Sequence, residues 1–249
     1  MGYNLIMKYI LTLILVIWSS GSACAYVDGH PPYNFKDGPP KHLQAQALVG
    51  EGKSESKSKD GRVYARLTEE KLYEIDFILK DGDLVLAQMS PKIRDPDSAF
   101  PYSVYRADLN KDGLDDLIVF SNYRGCGLGA LADKTEIFLK KKEGGYHKIY
   151  FDSLSAGLQD YVDLDKDGRY EVIITDICFV NNHSYYYYNV YEFKENKLVN
   201  TGKKFKGFPK FVWFTYKHND RDTVHLSEGE RLEQVKKRDS GIFYAELNL

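Results

Sequence analysis

The chain has 249 residues, enough for one large domain or two ordinary ones. It is 43% hydrophobic, 28% charged and 14% aromatic, which excludes a mostly disordered chain and leaves ample material for a core. Lys and Arg number 34 against 36 Asp and Glu, a formal net charge of −2, so no basic excess points to nucleic acid and no acidic tail stands out.

Residues 1–25 read as a signal peptide. Lys8 supplies a positive start, Tyr9 to Trp18 is an apolar run, and Ala23-Cys24-Ala25 fits a signal-peptidase site with the cut before Tyr26. The run is shorter than the ~20 residues needed to cross a bilayer, so no transmembrane span is expected. Ser22-Ala23-Cys24 also matches the end of a bacterial lipoprotein box, although Gly21 stands where a Leu-like residue belongs. A lipid anchor at Cys24 is therefore the alternative to simple cleavage. Either route exports the chain, making it periplasmic, outer-membrane-associated or secreted. In that oxidising setting Cys126 and Cys178 are expected to form a disulfide, with two buried free thiols as the other outcome.

Residues 26–60 read as a flexible tether. Pro31, Pro32, Pro39 and Pro40 interrupt regular structure, and Gly50 to Gly61 (GEGKSESKSKDG) lacks any apolar residue. Residues 61–249 form the folded domain. Three hairpins are predicted where aromatic or β-branched runs flank a short turn: Tyr73 to Gln88, Glu136 to Phe151 and Tyr187 to Asn200. A strand is predicted over Lys210 to Tyr216 and a last one over Ile242 to Leu247. Between them Ser227 and Glu230 form a capping box that opens a short C-terminal helix running to Lys237.

Two acidic loops interrupt this pattern. Loop 1 is Asp108-Leu109-Asn110-Lys111-Asp112-Gly113-Leu114-Asp115-Asp116, and loop 2 is Asp163-Leu164-Asp165-Lys166-Asp167-Gly168-Arg169-Tyr170-Glu171. Both read D-x-[DN]-x-D-G-x-x-[DE]. Side chains at positions one, three and five turn toward one centre, and Gly at six makes the sharp bend. The carbonyl at seven (Leu114 or Arg169) and the acid at nine complete an all-oxygen shell. Such a shell suits a hard cation, calcium best of all. Among the ligand positions loop 2 carries four carboxylates against three in loop 1, so it is expected to bind more tightly. Position twelve is Val119 or Ile174 rather than Glu, and apolar strand-like runs follow, so neither loop is an EF-hand.

The loops resemble the calcium-binding loops of FG-GAP/VCBS-type repeats, the blades of integrin-α-like propellers. In that family the motif leads into a strand like Asp115-Asp116-Leu117-Ile118-Val119 or Tyr170-Glu171-Val172-Ile173-Ile174. The resemblance covers about residues 100–200. It implies an all-β, propeller-like array of antiparallel blades with two structural calcium ions. The ligands would be Asp108, Asn110, Asp112, Leu114 and Asp116 in loop 1, and Asp163, Asp165, Asp167, Arg169 and Glu171 in loop 2. Only two loops occur, the Phe-Gly and Gly-Ala-Pro signatures are absent or blurred, and Glu171 replaces the usual final Asp.

Other features favour simple readings. Tyr185 to Tyr188 reads as a strand with Tyr on both faces rather than an aromatic platform. Gly125-Cys126-Gly127-Leu128-Gly129 lacks the Lys-Ser/Thr pair of a phosphate loop, and Lys203-Lys204-Phe205-Lys206 reads as a solvated strand end. No H-x-x-x-H or G-x-S-x-G occurs, so no catalytic residue is assigned. The expectation is a non-enzymatic module that binds a protein or glycan at the cell envelope. The alternative is a calcium-dependent carbohydrate-active or other hydrolytic enzyme, recognisable by a separate pair of carboxylates.

Overall fold

A computed structural model describes residues 41–50, 52–71, 74–90, 99–123, 132–213 and 226–248. The signal peptide, Cys24, the first part of the tether to residue 40, Cys126 and the Gly125–Gly129 loop lie outside the described residues. The described chain is all-β with a single α-helix, and every strand pairing in it is antiparallel. No helix among the described residues is long and apolar enough to cross a membrane.

The strands in chain order are β1 (Lys41–His42), β2 (Gln46–Val49), β3 (Glu55–Lys57), β4 (Val63–Lys71), β5 (Glu74–Asp81) and β6 (Leu84–Met89). They continue with β7 (Phe100–Ala107), β8 (Asp116–Asn122), β9 (Ala132–Lys140), β10 (Tyr146–Leu154), β11 (Tyr161–Asp163) and β12 (Glu171–Val180). The last are β13 (His183–Lys194), β14 (Lys197–Asn200), β15 (Lys210–Trp213) and, after helix α1 (Glu228–Asp239), β16 (Phe243–Leu247). They make three sheets. The first is the meander β3-β4-β5-β6, and the central one runs β16-β10-β9-β8-β7-β2. The third runs β1-β11-β12-β13-β14, with β15 on the same long strand β13.

The central sheet is buried on both faces because β8 is a continuous apolar run. Leu117, Ile118, Val119 and Phe120 are each at most 1% exposed, and alternation sends successive side chains to opposite faces. Ile118 and Phe120 pack with Tyr161, Val172, Ile174 and Tyr191 of the third sheet. Leu117 and Val119 pack with Val63, Ala65, Phe77 and Leu79 of the first. Each fully buried Leu, Val or Phe contributes roughly 1.5–3 kcal/mol of burial free energy, so these two interfaces hold the three layers together. The layers form an open stack; no ring closes among the described residues. The all-β antiparallel meanders match the sequence expectation, and propeller-like closure is not seen among the described residues.

The predicted hairpins are all present. Their turns carry left-handed residues at Gly82, at Gly144 and Gly145, and at Glu195. The helix starts at its predicted cap: Glu230 N donates to Ser227 Oγ at 3.3 Å and Ser227 N donates to Glu230 Oε2 at 2.7 Å. Leu226, just before the helix, and Val235 within it pack with Tyr185, Tyr187 and Phe211. Three of the four consecutive tyrosines, Tyr185, Tyr187 and Tyr188, are buried, so this run is core. Cys178 is half-buried and unbonded among the described residues; the expected Cys126–Cys178 bond has its other end outside them. Burial, then the Asp176 charge, pushes that thiol up to about 11, so it stays protonated at neutral pH.

The tether reading fails over residues 41–60. Leu48 and Val49 of β2 are buried, and β2 adds to the edge of the central sheet beside β7. The apolar-free stretch forms β3, an edge strand whose side chains meet solvent or lie half-buried. Such a strand needs backbone pairing and no core side chain, so its composition looks like a linker. The turn after it is locked by Ser58, whose hydroxyl accepts from Val63 N at 2.9 Å and donates to Asp60.

Candidate metal centre

Each acidic loop joins the first and second strands of a meander, and the two are built alike. Loop 1 links β7 to β8, and Ala107 pairs with Asp116. Loop 2 links β11 to β12, and Val162 pairs with Glu171. In both, the position-nine acid thus faces the residue just before the loop. Lys111 and Lys166 at position four have φ of 59° and 62°, and Gly113 and Gly168 at position six both have φ of 83°. Gly is placed at six because that left-handed bend strains any residue with a Cβ.

The hydrogen bonds repeat as well. The position-three oxygen accepts from the position-five N–H at 3.1 Å (Asn110, Asp112) and 3.2 Å (Asp165, Asp167). The position-five carboxylate accepts from the position-seven N–H at 2.8 Å in both loops. The position-nine acid reaches back to the position-two N–H: Leu109 N to Asp116 Oδ2 at 2.9 Å, Leu164 N to Glu171 Oε2 at 2.7 Å. These bonds hold the loop in shape and fix where its oxygens point. No family model, curated protein or solved structure matches the chain.

The loops differ in what their carboxylates have left to offer. In loop 1 both Asp116 oxygens are engaged, the second accepting from Lys140 N at 2.9 Å. Asp108 accepts from the N–H groups of Asp112 and Gly113 at 3.1 and 3.0 Å. Asn110 Nδ2 donates to Asp112 at 3.2 Å, and Leu114 is half-buried beside them. In loop 2, Asp163, Asp165 and Glu171 bring carboxylate oxygens within 4.8 Å of one another, the one such acidic group among the described residues. Asp163 is 3% exposed, and its buried Oδ1 has no hydrogen-bond partner among the described residues. A buried carboxylate oxygen without a donor is costly to leave unmatched. A cation at this point would match it, and the all-oxygen donor set suits a hard ion. Asp167 turns aside from the triad and takes the Arg169 guanidinium at 2.8 and 3.0 Å.

Burial pushes both position-nine acids up to about 7, Asp116 with added repulsion from Asp112 and Asp108, Glu171 with repulsion from Asp165, Glu192 and Asp167. A bound cation would favour their charged forms. Sequence reasoning missed two participants. Glu192 lies across the strand pair from Glu171. Lys204, read as part of a solvated strand end, sits in a 3-10 turn (Gly202–Lys204) and bridges Asp165 and Glu192. Neither carries a motif: the register of β12 against β13 brings Glu192 to the loop, and the turn seated on β13 brings Lys204. The two loops also meet: the Lys111 ammonium lies against Gly168. A cleft of about 630 Å³ between them is lined by Asn110, Asp112, Arg169 and the turns at 140–143 and 194–196.

Proposed function

We propose that the protein is an exported, non-enzymatic calcium-binding module built from FG-GAP/VCBS-like β-repeats, which binds a protein or glycan at the cell envelope. Calcium serves structure: loop 2 is the tighter site and loop 1 a second, weaker one. Each repeat would correspond to a propeller-like blade. The observation that carries this reading is the buried, unpartnered Oδ1 of Asp163, a residue whose carboxylate comes within 4.8 Å of those of Asp165 and Glu171. The shared backbone and hydrogen-bond plan of the two loops supports treating them as copies of one ion-binding device.

In this role the chain's own residues do two things. The position-nine acid braces the loop through the position-two N–H, and the side chains at one, three and nine present oxygens to the ion. The ion in turn relieves their mutual repulsion and joins the end of β11 to the start of β12.

The test is thermal unfolding of the full chain in millimolar calcium and in EDTA, with metal content measured alongside. Calcium at ten times Kd stabilises by about 1.4 kcal/mol per site, or a rise of about 3–6 °C for a domain of this size. Asp163→Asn should lose most of that rise. Coincident curves with and without EDTA, and no co-purifying ion, would overturn the reading.

A further inference from the structure

Lys204 stands at the loop 2 carboxylates. Its Nζ lies 2.5 Å from Asp165 Oδ2 and 2.7 Å from Glu192 Oε1. Asp165 belongs to the triad, and Glu192 is the cross-strand neighbour of another member, Glu171. The lysine is held there by its backbone. Thr201 N donates to Val190 O at 2.9 Å, Gly202 N donates to Asn200 Oδ1 at 3.1 Å, and Lys204 N donates to Thr201 O at 2.8 Å. Gly202 lies directly against the fully buried Asn189 amide, which seats the turn on β13. The ammonium also lies 5.3 Å from the centre of the Phe205 ring. The two carboxylates hold Lys204 protonated well above the ordinary lysine range. Loop 1 is built differently: the oxygens of Asp108 and Asp112 accept from groups of their own loop.

We infer that Lys204 is a built-in counter-cation of loop 2, occupying Asp165 in the ion-free protein and yielding that carboxylate when a divalent ion binds. This rests on the reading of loop 2 as a calcium site. The lysine stabilises the ion-free fold by offsetting repulsion among Asp165, Glu171 and Glu192. By competing for Asp165 it also weakens apparent affinity, since only the fraction with Asp165 released binds at full strength. It thereby keeps the ion exchangeable rather than permanently held.

The experiment is calorimetric titration of the full chain with calcium chloride, comparing wild type with Lys204→Met, together with unfolding of both in EDTA. Because Lys204 is half-exposed, the expected gain is modest: Kd at the tighter site falls by about three- to tenfold, while the melting temperature in EDTA drops. Lys204→Gln, which keeps hydrogen bonding without charge, should tighten binding likewise, so the measurement does not depend on the Met variant folding. Lys204→Arg should retain wild-type affinity. A wild type that binds calcium, with uncharged variants that bind equally or more weakly, overturns this inference and leaves the calcium reading standing. Folded wild type and variants that all fail to bind calcium overturn both.

Discussion

Single carboxylates set the chemistry of this molecule, and Glu171 shows how. It is 2% exposed, and burial raises its pKa to about 7, far above the value it has in an unfolded chain. Asp116 is raised to about 7 for the same first reason. A raised carboxylate means that the folded state holds protons which the unfolded state has released. In the ion-free protein this contribution to stability is therefore full below about pH 4 and is lost as pH rises through 7. The melting temperature in EDTA should accordingly fall between pH 5 and pH 8. Glu171→Gln should flatten that fall, and calcium should oppose it by holding the charged form. Unfolding curves at the two pH values, with and without calcium, check all three outcomes.

At the scale of elements, short turns decide where the strands deliver their side chains. Gly202 is the clearest case, because a methyl group there would overlap the Asn189 oxygen, and Asn189 is fully buried. Gly202→Ala should cost about 1–3 kcal/mol through overpacking, a drop of roughly 2–12 °C in melting temperature. It should also disturb calcium affinity, since the same turn carries Lys204. Differential scanning calorimetry and titration on one preparation separate the two effects. The sequence-level legibility of the elements follows their chemistry. The hairpins are legible because Gly82, Gly144 and Gly145 mark left-handed turns between apolar runs. The acidic loops are legible because their acidic positions and the Gly at six lie within nine residues. Strand β3 is not, since an edge strand of Glu55-Ser56-Lys57 is held by backbone bonds that leave no apolar signature. Lys204 is not legible either: it lies 39 residues from Asp165, and the turn seated on β13 makes them neighbours.

The whole molecule is three layers, and the link between the first and central layers includes one buried charge. Asp81, 2% exposed at the end of β5, accepts from Tyr146 of the central sheet at 2.9 Å, lies 3.3 Å from the Lys140 ammonium and takes Arg62 at 3.1 Å. Two of these partners come from the neighbouring layer. Asp81→Ala should therefore cost about 1–3 kcal/mol, because it leaves the buried Tyr146 hydroxyl without its acceptor and removes the charge that the partly exposed Lys140 and Arg62 face, whereas Tyr146→Phe should cost about 0.5–1.5 kcal/mol. Urea unfolding of both variants tests this ordering; a smaller loss for Asp81→Ala than for Tyr146→Phe would count against Asp81 as the junction.

The two-residue strand β1 places Lys41 opposite Asp163. Any tension arriving along the chain from upstream of Lys41 first peels this short pairing, and the next strand in line is β11, whose last residue is the buried acid of loop 2. If loop 2 takes its proposed ion, occupancy and mechanical load converge on one backbone position. A filled loop would act as a rivet at the point where a pulled chain enters the third sheet.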